Sequence, residues 1–205
     1  MKKKLLVVGT FGQRFIKSVI SKVLVLDTAA DVLNIQGENV KTVHLVLDWF
    51  REFPKWILTT LLSAAGTDGA ALIEAYSHAI FETNRGLRVT IERFVADADI
   101  LYVVISSGGG TGNGIFSHLL KLLRSLRPPC RVIYIHPMNV AVNPEKQLSR
   151  IRDFVFLGTN GPKESHILAS NDATIESILK CSPETFDGVE KVAVNIMSKG
   201  DVLCQ

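Results

Sequence analysis

Short apolar runs alternate along the chain with longer segments in which apolar residues recur at helical spacing. The runs LLVV, VLVL, ILYVVI and VIYI are continuously apolar, which is typical of strands buried on both faces of a parallel sheet. Strands are predicted at residues 5–8, 23–27, 40–43, 100–105, 132–135 and 166–170. Helices are predicted at residues 14–22, 70–95, 115–127, 144–154 and 173–180. This alternation predicts an α/β fold, a Rossmann-like and mainly parallel sheet with helices on both faces.

Polar or glycine-rich residues follow five of the predicted strands. They lie at residues 9–12, 27–28, 106–114, 138–143 and 171–172. Because the carboxyl ends of parallel strands meet at one edge of the sheet, these residues are expected to form one ligand site there.

The segment SSGGGTGNG at residues 106–114 joins a predicted strand to a predicted helix. Its glycines allow successive backbone N–H groups to face one concavity, and the helix adds the positive end of its dipole, so the segment predicts an anion site. A tight turn alone would need only one or two glycines. A Walker loop would carry a lysine after the glycines, and a dinucleotide fold would carry G-x-G-x-x-G after the first strand; neither is present. Without a lysine, backbone N–H groups and a metal ion are left to balance the charge of a phosphate.

Composition narrows the class of protein. The 205 residues suffice for one ordinary domain, or for one large and one very small domain. The formal net charge of +3 is too small to indicate direct nucleic-acid binding. Three distant cysteines without CxxC spacing argue against zinc or a disulfide framework and suit a reducing cytoplasm. The apolar runs near the N-terminus and near residue 60 are too short for a signal peptide or a membrane span. The five histidines form no HExxH motif and are predicted to be structural.

The segment SGGGTGNG, Ser107 to Gly114, resembles the signature loop of the tubulin/FtsZ family, with Asn113 where Ser, Ala or Thr is usual. LLVVGTFGQRF resembles the family's first phosphate loop, and AAGTDGAALIEAY resembles its third loop, which senses the γ-phosphate. The resemblance implies that nucleotide phosphates contact the following residues: Gly9, Thr10, Phe11, Gly12, Ala65, Gly66, Ser107, Gly108, Gly109, Gly110, Thr111, Gly112, Asn113 and Gly114.

The remaining loops resemble the family's ribose and base contacts. VLDTAADVL is similar to its second strand and loop, HPMNVAVNPEKQLSRI to its fifth, and HILASNDATI to its sixth, while ETFDGVEKVAVNIM resembles the start of its central helix. The implied ribose and base residues are Asp27, Glu145, Arg150, Asn171, Phe186 and Glu190. Three simpler interpretations stand beside these roles. Asp27 could cap a turn, Glu145 and Arg150 could be surface charges, and Asn171 could be a helix N-cap.

The resemblance implies a nucleotide-binding domain at residues 1–185 and the start of the central helix at 186–205, with the family's second domain absent. The family continues through a loop bearing a catalytic acid, for which Asp201 is the one candidate here. A chain without that loop is expected to turn GTP over slowly and not to form long filaments.

The implied ligands are GTP or GDP with Mg²⁺, and the implied function is that of a cytoplasmic, filament-forming cytoskeletal protein that self-associates and hydrolyses GTP at subunit interfaces. The alternative is a nucleotide-binding module of the same fold that neither polymerises nor hydrolyses. A nicotinamide or flavin dehydrogenase is disfavoured by the G-x-x-G spacing at Gly9 and Gly12.

Overall fold

The computed structural model describes residues 1–18, 22–45, 77–81, 83–106, 108–126, 130–138, 145, 147–149, 151–152 and 164–180. All six predicted strands are confirmed, each within a few residues of the predicted bounds. They are β1 (Lys3–Val8), β2 (Lys22–Asp27), β3 (Val40–His44), β4 (Ile100–Ile105), β5 (Arg131–Pro137) and β6 (Glu164–Ala169).

The six strands form one sheet in the order β3-β2-β1-β4-β5-β6, and every neighbouring pair is parallel. This is the Rossmann-type strand order, so the predicted fold class is confirmed. β1 lies at the centre: its last residue, Val8, is opposite Leu26 of β2 and Ile105 of β4. The carboxyl ends of these three strands therefore meet at one place.

Helical segments cover both faces of the sheet. They are α1 (Arg85–Val95), α2 (Gly110–Leu126), α3 (Asp172–Lys180) and two 3₁₀ helices at Thr10–Ser18 and Ala30–Asn34. On one face α1 and α2 bury Ile91 and Phe116 against the sheet. On the other face the 3₁₀ helices and α3 bury Phe15, Val32 and Ile175. None of the described helices is long and apolar enough to cross a bilayer.

The predicted helix at residues 70–95 is interrupted within its described part. Residues 77–81 are helical, but α1 begins only at Arg85 because Asn84 is its N-cap: the Asn84 side-chain oxygen accepts a 2.9 Å hydrogen bond from the Leu87 backbone N–H. An asparagine at this position satisfies an N–H that has no partner within the helix, which favours a new start over continuation.

Two other helix boundaries were wrong. α2 begins at Gly110, five residues before its predicted start at 115. The second half of the glycine-rich segment at residues 106–114, called the glycine loop below, therefore forms the first turn of the helix. The segment predicted as a helix at 14–22 is a 3₁₀ helix at Thr10–Ser18, since Lys22 already pairs with Lys4 of β1 as the first residue of β2. The helices predicted at 173–180 and, where described, at 144–154 are present.

Candidate functional site

The candidate site lies where the strand order reverses, between β1 and β4. After β1 the chain enters the 3₁₀ helix that packs on one face, and after β4 it enters α2 on the opposite face. The two connections leave the sheet on opposite faces, and at such a point open α/β sheets have their ligand crevice, outside the carboxyl ends of the strands. Gly9 and the glycine loop are therefore brought together, although they are about 100 residues apart in the sequence.

Gly9 is the first residue on the β1 side of the crevice. Its φ of +82° lies in the left-handed region that favours glycine, and its N–H donates a 2.9 Å hydrogen bond to the Leu26 carbonyl. A Cβ at this position would lie 3.7 Å from Cβ of Thr111 and 4.0 Å from the Gly112 nitrogen. The first loop, residues 9–12 after β1, thus lies directly against the first turn of α2.

On the β4 side, Gly112 permits α2 to begin directly over the end of the strand. A Cβ on Gly112 would contact the Ser106 carbonyl oxygen and lie only 2.8 Å from its carbonyl carbon, a distance that real side chains do not tolerate. Gly109 differs, because among the described residues its Cβ would meet nothing nearer than the Ser106 carbonyl oxygen at 4.0 Å. Gly112 is thus required by the fold, and Gly109 is not.

Gly12 is also required by packing. A Cβ there would lie 2.7 Å from a Val7 methyl carbon and 3.1 Å from one of Val104. The 3₁₀ helix can therefore lie close to the sheet only with glycine at this position.

The two other predicted residues of the first loop differ in exposure, since Thr10 is exposed and Phe11 is half-buried.

Thr111 has a buried hydroxyl at the start of α2. Its Oγ1 lies 2.7 Å from Oγ1 of Thr28, the residue that follows β2. Thr28 belongs to the polar segment 27–28 that the sequence predicts at the ligand site, although no contact was assigned to it. The available signal was its place directly after a buried strand, next to Asp27.

Asp27 is the centre of a polar network below the first loop. Its Oδ2 accepts hydrogen bonds from the Thr10 hydroxyl (2.9 Å) and the Gln13 side-chain amide (2.7 Å), and its Oδ1 accepts one from the Ala29 N–H (3.2 Å). Burial raises the pKa of this carboxyl group, and the hydrogen bonds partly offset the increase. The turn-capping role is therefore observed, while a direct contact with ribose stays a prediction.

Beyond the carboxyl end of β6, Asn171 caps α3. Its side-chain oxygen accepts hydrogen bonds from the backbone N–H and the hydroxyl of Thr174, at 2.9 and 3.0 Å. The neighbouring Asp172 pairs with Arg14 at 2.6 Å, and the Arg14 guanidinium lies 4.0 Å above the Phe11 ring. Arg14 thus connects the first loop to the start of α3, a link that sequence reasoning missed. Base recognition by Asn171 stays a prediction.

The other predicted residues are placed as follows. Gly108, Gly110, Asn113 and Gly114 lie in or beside the first turn of α2, and Glu145 is exposed in a helical segment. Ala65, Gly66, Ser107, Arg150, Phe186, Glu190 and Asp201 lie outside the described residues.

Among the described residues, the donor atoms at the crevice do not form a dedicated metal site. Mg²⁺ prefers six oxygen ligands and is commonly held by one or two carboxylates together with substrate phosphates. The Asp27 oxygens accept hydrogen bonds from protein donors, and no group of three His, Cys, Asp or Glu side chains suited to a metal occurs in the described part of the chain.

A second polar cluster lies between α2 and strands β5 and β6. Arg124 of α2 forms a two-point ion pair with Glu164 at 2.8 and 2.9 Å, and Glu164 accepts a 2.7 Å hydrogen bond from Nε2 of His166. Nδ1 of His166 lies 3.0 Å from Nε2 of His136. The His166 Nε2 donates to a carboxylate, so the bond between the rings runs from His136 Nε2–H to His166 Nδ1.

Both rings of this cluster are held neutral. Burial lowers the pKa of His136 and of His166, and the hydrogen bond to Glu164 only partly offsets the decrease for His166. Burial also raises the pKa of Glu164, but hydrogen bonds from His166 and Arg124 bring it below its ordinary value. Two histidines predicted to be structural thus form a buried chain of hydrogen bonds with an ion pair.

No family model and no curated protein matches the sequence. Solved structures do match. The TubZ structure of Clostridium botulinum phage c-st is 14% identical, with a TM-score of 0.55 over 100% of this chain and 62% of that one. An empty FtsZ dimer from M. jannaschii is 12% identical, with a TM-score of 0.53 over 95% of this chain and 52% of that one. CetZ1 of Haloferax volcanii, a GDP-bound monomer, is 17% identical, with a TM-score of 0.52 over 95% and 58%.

The strand order and these matches show the class of fold: a Rossmann-type parallel sheet, whose order reverses between β1 and β4 at the candidate site. More particularly, the chain has a tubulin/FtsZ-like fold. It spans 52–62% of the length of the TubZ and FtsZ chains that it matches.

Proposed function

We propose that this chain binds GTP or GDP in the crevice between β1 and β4, as part of a cytoplasmic, filament-forming protein that self-associates and hydrolyses GTP at subunit contacts. The observation that carries the proposal is the meeting of Gly9 with Thr111 and Gly112 at the carboxyl edge of the sheet. Two glycine-containing loops with backbone N–H groups at that edge favour a polyphosphate, since such a ligand needs donors from more than one side.

The chain's own residues would hold the phosphates by position and by backbone dipoles. The first N–H groups of α2 have no carbonyl partner within the helix and can donate to phosphate oxygens. Gly109 leaves space for the phosphate to approach the backbone. Thr111 would donate its hydroxyl to a phosphate oxygen, and Mg²⁺ bound to the nucleotide would neutralise part of its charge.

The matched structures support the nature of the ligand and of the assembly. CetZ1 is a GDP-bound monomer in its solved structure, and the matched FtsZ is a dimer. Phosphoryl transfer depends mainly on positioning and charge stabilisation, so a site completed by a neighbouring subunit is chemically reasonable. Self-association and hydrolysis at a shared contact therefore belong to the same proposal.

The test is direct identification of the ligand. The purified protein is denatured, released nucleotides are separated by ion-exchange chromatography, and calorimetry compares the affinities of nucleotide-free protein for GDP, GTP, ADP and ATP. We expect GDP or GTP in the released fraction and tighter binding of guanine than of adenine nucleotides. Equal or tighter binding of ATP would contradict the guanine assignment, and no binding of any of the four would contradict the proposed site.

A further inference from the structure

The hydroxyl groups of Thr28 and Thr111 lie 2.7 Å apart in the wall of the crevice. Both side chains are buried, with 2% of Thr28 and 9% of Thr111 exposed. They come from residues 83 positions apart, one at the end of β2 and one in the first turn of α2. This buried hydrogen bond joins the loop that follows β2 to the glycine loop.

Thr28 is itself held firmly. Its carbonyl accepts a 3.1 Å hydrogen bond from Nε2 of His44, so that ring nitrogen carries a proton. On its N-terminal side, the Asp27 carbonyl accepts a 2.7 Å hydrogen bond from the Leu45 N–H. The backbone that carries the Thr28 hydroxyl is therefore tied to the end of β3 from two sides, and the hydroxyl has a defined position.

A bound phosphate would determine the direction of the bond between the two hydroxyls. Phosphate oxygens at neutral pH accept hydrogen bonds, so Thr111 can bind one only by donating its proton. Thr111 then has lone pairs left to accept from Thr28. In the ligand-free molecule either hydroxyl can be the donor; a phosphate would select the arrangement in which Thr28 donates to Thr111.

We infer that Thr28 is a positioning residue: its hydroxyl orients and polarises the Thr111 hydroxyl toward a phosphate, without itself contacting the nucleotide. This inference rests on the proposed function. It predicts that Thr28 affects nucleotide affinity only through Thr111, because hydrogen bonds in a chain strengthen one another and residues in contact are not independent.

The experiment is a double-mutant cycle on the full chain, with fluorescent mant-GDP as the probe. Thr28→Val removes the hydroxyl at nearly constant shape, and we expect its affinity for mant-GDP to fall about five- to tenfold, the size typical of coupling between residues in contact. Thr28→Ser keeps the hydroxyl and should bind within about twofold of the wild type. In a Thr111→Ala background, Thr28→Val should cause no further loss.

Urea unfolding of each nucleotide-free variant separates affinity from folding, and Thr28→Ala replaces Thr28→Val if the valine variant does not fold. Unchanged affinity of the variant without the hydroxyl (Thr28→Val or Thr28→Ala), or an equal loss from that change in the Thr111→Ala background, would overturn the positioning role while the proposed function stands. Absence of mant-GDP binding by the wild type would overturn the proposed function and this inference together.

Discussion

At the scale of single residues, two glycines of the glycine loop serve different purposes. A Cβ at Gly112 would overlap the Ser106 backbone, whereas a Cβ at Gly109 would meet no atom of the described part of the chain closer than 4.0 Å. Gly112 is thus needed to fold the strand-to-helix connection, and Gly109 is free to serve a ligand. This difference allows the folding role and the binding role of the loop to be tested separately.

We expect Gly109→Val to abolish measurable mant-GDP binding while it leaves the melting temperature within about 2 °C of the wild type, since that shift corresponds to less than about 1 kcal/mol. Gly112→Ala should instead lower the free energy of unfolding by at least about 1–3 kcal/mol, the usual cost of overpacking. Scanning calorimetry and equilibrium binding measure the two effects. Normal mant-GDP binding by a folded Gly109→Val protein would show that the glycine loop is only a tight turn and does not bind the nucleotide.

At the scale of elements, α2 is attached to the sheet at both ends. Its first turn lies over the end of β4 through Gly112, and Arg124 in its last turn pairs with Glu164 of β6. Between them the Phe116 ring lies 5.2 Å from the ring of His136. The buried histidines thus lie directly behind the helix that begins at the candidate site.

The histidine cluster predicts a pH-dependent stability. His136 and His166 have lowered pKa values in the folded protein, while an unfolded chain restores a pKa of about 6.5. Below that pH the unfolded state binds more protons. The contribution of each ring to stability is therefore complete above about pH 6.5 and is lost as the pH falls, with a slope of up to roughly 1.4 kcal/mol per pH unit.

We expect His136→Phe to reduce this slope, because one of the two titrating rings is removed while an aromatic side chain still fills the site. Urea unfolding of the wild type and of the variant between pH 7.5 and 5 measures how the free energy of unfolding changes with pH. The carboxylates are the same in both proteins, so their contribution cancels when the two slopes are subtracted. The variant loses stability at pH 7.5, since His166 is left without its donor, so only the slope is diagnostic. Identical slopes would show that His136 does not titrate differently on unfolding.

At the scale of the whole molecule, the parallel sheet and its reversal between β1 and β4 determine where a ligand can bind. The tubulin/FtsZ-like fold explains why the glycine loop lies next to the first strand and not at the edge of the sheet. The proposed self-association has its consequence at this scale, because a site shared between subunits links oligomerisation to the nucleotide.

We expect sedimentation velocity to detect oligomers whose amount rises with protein concentration, and more of them in GTP than in GDP. The physical reason is that a ligand at a shared contact stabilises the assembled state by its differential affinity. Gly109→Val is the matched control, since it should remain folded and lose the nucleotide effect. Monomers at every concentration in both nucleotides would favour the alternative, a nucleotide-binding module that does not polymerise.

The sequence by itself determined the six strands and their alternation with helices, and it predicts an anion site at the glycine loop. These features depend on local patterns: continuous apolar runs mark strands buried on both faces, and repeated glycines free the backbone. The break at Asn84 was also readable in principle, since asparagine is a preferred N-cap. The periodicity of the apolar residues did not reveal this break, because their helical spacing continues on both sides of Asn84.

Only the tertiary structure decided which loops meet and what their side chains contact. The pairing of Thr28 with Thr111, the hydrogen bonds from Thr10 and Gln13 to Asp27 and the chain from Arg124 to His136 join residues of different strands and helices. Such contacts depend on the order of strands in the sheet, and local periodicity contains no information about that order. The same is true of Gly112, whose necessity comes from the backbone of Ser106 packed against it.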